Sequence, residues 1–114
     1  MKYVCAIALI IFCGATNQAV AVNPGQFMSY GSGAASCGKW LASSHDSGDR
    51  NRKLNWVLGW LSAAGYYDVL GSLKETDSDA IAAWVDNYCR DKPLDTISNA
   101  ASALVRTLAV RGQT

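Results

Sequence analysis

TDSDAIAAWVDNYCRDKP, residues 76–93, is the stretch that decides the fold class. Ile81, Trp84, Val85, Tyr88 and Cys89 follow one another at i, i+3, i+4, i+7 and i+8. That spacing gathers apolar side chains on one face of a helix. Thr76 is placed to cap it, and Asp77 and Asp79 stand in the first turn, where the helix dipole favours negative charge. Asp79, Asp86 and Arg90 fall off the apolar face, Arg90 and Lys92 suit the last turn, and Pro93 ends the helix. Cys89 sits on the stripe that must be buried.

Working outward, residues 95–110 repeat the pattern, with Ile97, Ala101, Leu104 and Leu108 on one face and Arg111-Gly112 as a stop. Upstream, Arg52 to Leu70 is apolar nearly all round (Leu54, Trp56, Val57, Leu58, Trp60, Leu61, Tyr66, Tyr67, Val69), and Gly71 ends it. A helix of that kind is expected at the centre of its domain. Its small and polar residues, Asn55, Gly59, Ser62 and Gly65, share one stripe. That stripe is either a thin wet edge or the groove where another helix crosses. Before it, HDSGDRNR at 45–52 reads as an exposed polar loop. A short first helix begins near Ala34 to Ser36, with Cys37, Trp40 and Leu41 at i, i+3 and i+4, and residues 22–33 read as an irregular arm holding Pro24, Gly25, Gly31 and Gly33. No strand pattern of comparable length occurs. The expectation is an all-α single domain of four helices.

The chain opens with Met1-Lys2, an apolar run from Tyr3 to Cys13, a small and polar stretch, and Ala19-Val20-Ala21. These are the parts of a secretory signal peptide, with the cut expected after Ala21, and the run falls short of the roughly 20 residues of a membrane span. A lipoprotein reading wants a small residue before Cys13, where Phe12 stands. Export is therefore expected, and residues 34–114 form the domain. Cys5 and Cys13 leave with the leader, so Cys37 and Cys89 remain. In an oxidising compartment two cysteines favour one bridge over two buried thiols. It would tie the first helix to the third from inside the core. A loop of about 53 residues closed in this way gains about 4 kcal/mol from loop-closure entropy.

Without the leader, nine Lys and Arg balance eight Asp and Glu75. No basic excess exists for a nucleic-acid backbone, and no basic amphipathic stretch for a membrane surface. His45 is the single histidine, beside Asp46, Ser47 and Asp49. Neighbours in a loop seldom hold the geometry of a Ser–His–Asp hydrolase site, and one His with two bridged Cys is too few for zinc. No cofactor, metal site or catalytic residue is expected. The aromatics are better candidates. Trp56 and Trp60 stand at i, i+4, and with Tyr66 and Tyr67 they are either core packing or a partly exposed protein-binding patch.

Cys37-x-x-Trp40-Leu41 on a short helix, a long apolar second helix, an acid-started third helix ending in Cys89-Arg90-Asp91-Lys92, and a final helix together resemble the HdeA-like family. These are small periplasmic helical proteins with two bridged cysteines. The likeness spans Ser36 to Arg111. It implies a non-enzymatic acid-stress chaperone that binds unfolding clients. A looser similarity to the Tai group of type VI secretion immunity proteins implies instead one cognate partner, or an accessory role in secretion or conjugation. Oligomeric state is left open.

Overall fold

The computed structural model describes residues 28–68 and 76–112. The expected leader, the first part of the expected arm and the expected end of the second helix at 69–71 lie outside the described residues. Those described form four α-helices and no strand: α1 (Cys37–Ala42), α2 (Ser47–Tyr66), α3 (Ser78–Asp91) and α4 (Ile97–Arg111). Two 3₁₀ turns, Gly31–Ala34 and Ser43–His45, flank α1. The fold is all-α, and a Cys37–Cys89 disulfide joins α1 to α3 with Cα atoms 4.8 Å apart. No described helix is long and apolar enough to cross a membrane.

Each α-helix starts in the same way. The side chain of the residue before it accepts the amide N–H three positions on: Ser36 from Lys39, Asp46 from Asp49, Asp77 from Ala80 and Thr96 from Asn99. Each such cap contributes about 1 kcal/mol. The caps correct three expected boundaries. The third helix is capped by Asp77 rather than Thr76, the fourth starts at Ile97 rather than Asp95, and the second starts at Ser47 rather than Arg52. The polar run at 45–52 is not a loop. Asp46 caps it, Asp49 sits in the first turn, and Asp49 pairs with Arg52 at 3.3 Å and with Lys53 one turn on. Polarity there marks the solvated start of a helix.

The core gathers Cys37 and Trp40 from α1, Val57 and Leu61 from α2, Ile81, Val85 and Cys89 from α3, and Ile97, Ala100, Ala101, Leu104 and Leu108 from α4. The expectation that the second helix is central is overturned. Only Lys53, Val57 and Leu61 of α2 are buried, against six residues of the shorter α4. The alanines of α4 explain the exchange, because small side chains let neighbouring backbones close around it.

α1 has only six residues, too few to persist alone. Its first two amides find acceptors across the chain: Cys37 N–H donates to the Asp95 carbonyl at 2.7 Å and Gly38 N–H to that of Pro93 at 3.1 Å. Ile97 N–H returns a bond to the Ala35 carbonyl at 2.9 Å. The disulfide lies beside this backbone pairing, so α1 is held covalently and by its own otherwise unmet donors.

Candidate functional site

The four aromatics expected to form one patch on the second helix fall into two. Trp56 and Trp60, one turn apart, stack with ring centroids 5.4 Å apart and are half-buried. Tyr66 and Tyr67 meet edge to face at 5.0 Å and are 83% and 79% exposed. At 100° per residue Tyr66 lies about a third of a turn from Trp60 around the helix. The tyrosines therefore belong to the open side of α2 and the tryptophans to its flank.

The Trp56 ring is the better built of the two surfaces. Its indole N–H donates to the Tyr30 carbonyl at 2.8 Å. A Cβ added at Gly33 would stand 2.1 Å from the ring, so only glycine lets that backbone lie against it. Gly31, at φ +68°, supplies the left-handed step that turns the chain there. The last residues of the expected irregular arm are thus an ordered turn seated on α2.

The stripe Asn55, Gly59, Ser62 and Gly65 is exposed, and a Cβ built on Gly59 or Gly65 meets nothing within 4 Å. Among the described residues no helix crosses there, so the groove reading is replaced by that of a wet edge. Ser62 turns its hydroxyl back onto the Leu58 carbonyl at 2.7 Å. Among the described residues no catalytic constellation assembles around His45. His45 is exposed, the Asp46 carboxylate caps α2, and Asp49 is taken by Arg52 and Lys53. Lys53 holds the Asp49 carboxyl below the usual carboxylate range. Among the described residues no three His, Cys, Asp or Glu side chains gather as metal ligands.

Sequence reasoning missed a cluster around Trp40. This ring is fully buried, and its indole N–H donates to Asp86 Oδ1 at 2.7 Å. The Arg50 guanidinium donates to the same oxygen at 2.7 Å and lies 4.0 Å over the Trp40 ring. A second Arg50 nitrogen reaches the Trp40 carbonyl at 3.4 Å, and Ser43 Oγ donates to that carbonyl at 2.5 Å. One carboxylate thus binds α1, α2 and α3 together while retaining partial access to water. A signal for it was present. Three residues forward from Cys37 is Trp40, and three back from Cys89 is Asp86. Two helices running antiparallel from the bridge bring those two side by side.

On the other side of α3, Trp84 stacks on Tyr88 at 5.4 Å, and the Lys92 ammonium lies 5.1 Å over the Tyr88 ring. Tyr88 O–H donates to Asp95 Oδ2 at 2.5 Å. Burial and the neighbouring Asp95 carboxylate push the phenol up to about 12. Compared with known protein families, curated proteins and solved structures, the chain matches none.

Proposed function

We propose that this chain works after export as a non-enzymatic protein-binding domain of the HdeA-like kind, holding unfolding clients when acid loosens its fold. The supporting observation is the shared Asp86 oxygen, which accepts from Trp40 of α1 and Arg50 of α2 at 2.7 Å each. Hydrogen bonds with an ionised partner are about twice as strong as neutral ones, and this oxygen takes one from a guanidinium. Acid neutralises the carboxylates, Asp49 among them, whose charged form the fold favours through Lys53. It also takes the exported side chains from balance to about plus ten, counting nine Lys and Arg with His45, so self-repulsion acts in the same direction. Trp40 and the alanine-lined core behind it are the surface released.

The test is an acid titration followed by circular dichroism and binding of an apolar dye, with client aggregation measured at pH 2 to 3. Reversible loosening, dye binding and suppressed aggregation are expected. Asp86→Asn, which keeps an acceptor and discards the charge, should show the dye-binding state at higher pH than the wild type. A chain that stays compact at pH 2, or leaves aggregation unchanged, defeats the reading. Tyr66 and Tyr67 favour a second reading, as an immunity or secretion-accessory protein, since they are exposed in the native fold and need no acid to meet a cognate partner. Recovery of one stoichiometric partner at neutral pH, lost with Tyr66→Ala/Tyr67→Ala, would establish it.

A further inference from the structure

Both halves of the Cys37–Cys89 bridge are out of reach of water: each residue is 0% exposed. Trp40, one turn on from Cys37, and Val85, one turn before Cys89, are covered as completely. So are Ile97 and Ala101 of α4 in the same cluster. The backbone beside the sulfurs is strapped as well. Ser36 and Thr96 face each other as an isolated antiparallel bridge. Around them Ile97 N–H donates to the Ala35 carbonyl at 2.9 Å, Cys37 N–H to that of Asp95 at 2.7 Å, and Gly38 N–H to that of Pro93 at 3.1 Å. Thiol–disulfide exchange needs an attacking thiolate in direct contact with one of the two sulfurs. The folded domain offers no such access.

We propose that this bridge is a tether shielded twice, by burial where thiolates exist and by protonation where acid opens the domain, so that it outlasts an acid cycle with α1 still joined to α3. The second shield rests on the acid-loosening reading; the first stands on burial alone. At neutral pH a thiol reagent carries reactive thiolate but meets covered sulfur. A domain of ordinary stability opens its core in fewer than about one molecule in a thousand. At pH 3 an ordinary thiol, with a pKa of about 8.5, is thiolate in only about three parts in a million. Exchange therefore stops under the conditions that would uncover the sulfurs. The loosened chain keeps its loop closed, and refolding begins with the first and third helices already joined. Formation follows the same logic: an oxidant has to reach Cys37 or Cys89 before α1 docks.

Two reductants acting on the exported, oxidised protein separate the shields, with free thiols trapped and counted by mass. Dithiothreitol works through its thiolate, which attacks one sulfur as the other leaves. Its second thiol then closes on the mixed disulfide, so the reagent ends as a cyclic disulfide and both cysteines as thiols. A water-soluble phosphine needs no thiolate. Its phosphorus gives two electrons to the sulfur pair, and water supplies the oxygen of the phosphine oxide and the protons of the two thiols. At pH 7 both reagents should cut the bridge at least about a thousandfold more slowly in the folded protein than in the same chain unfolded in urea. At pH 3 the phosphine should act within about tenfold of its rate on the urea-unfolded chain, whereas dithiothreitol should leave the bridge intact. Weaker protection at pH 7 against either reagent overturns the inference, and so does cleavage by dithiothreitol at pH 3. A bridge that the phosphine cannot reach at pH 3 establishes burial as the shield at both pH values and sinks only the acid-loosening reading.

Discussion

α2 and α4 are both rich in apolar residues, yet they occupy opposite stations in the fold. α2 is the longer, carries Trp56, Trp60 and three leucines, and leaves Asn55, Gly59, Ser62 and Tyr66 facing outward. α4 carries no aromatic residue and buries six of its fifteen residues. Ala100 and Ala101 are entirely covered. The contrast teaches that side-chain size and station are separate quantities. A helix reaches the centre when its small residues admit neighbours, whereas large rings can lie flat along a flank and remain half in water.

The sharpest way to break this contrast is to truncate one leucine in each helix. Leu104→Ala in α4 should lower unfolding free energy by about 2–5 kcal/mol, with Leu58→Ala in α2 costing at most about half as much. Equal losses in urea denaturation would mean that α2 is as central as α4. Enlargement is the next test. Ala101→Leu should destabilise by about 1–3 kcal/mol, since a covered alanine leaves no room. Ala63→Leu on the outer side of α2 should stay within about 0.5 kcal/mol. A smaller effect has the opposite sign. Gly59→Ala should stabilise by about 0.5–1 kcal/mol, because the added methyl meets nothing and mid-helix glycine is conformationally costly. A loss in melting temperature there would reveal something packed on that face.

The last prediction concerns only alkaline conditions, at the junction of α3 with α4. The folded state favours the neutral Tyr88 phenol, raising it from 10 to about 12. The stability it adds is complete below pH 10 and disappears as pH rises from about 10 to about 12. Tyr88→Phe should flatten the fall in stability across that window. An unaltered slope would show that the Asp95 contact does not couple to folding.

Much of this architecture was legible because periodicity reports which face of a helix is buried. Ile81, Val85 and Cys89 are covered as their spacing requires, and Cys37 and Cys89 are joined from the two stripes that carried them. Periodicity was silent where polar residues belong to a helix. Ser47 to Asn51 looked like a loop because hydropathy does not register Asp46 as a cap. It also cannot tell a flank from a centre, so the apolar circumference of α2 pointed to the wrong helix. The Asp86 cluster needed two facts at once, the bridge and the antiparallel run of the helices it joins. Gly33 looked like arm punctuation until the ring seated on it was seen.

The pairing of Cys37 and Gly38 with Asp95 and Pro93 has a consequence for the order of events during synthesis. The first described α-helix cannot complete its hydrogen bonding until a segment more than fifty positions later has emerged. α1 thus appears well before the residues that complete it. A chain cut short before Cys89 would carry residues 37–42 without their backbone acceptors and with one unmated thiol, open to any oxidant or foreign sulfur it met.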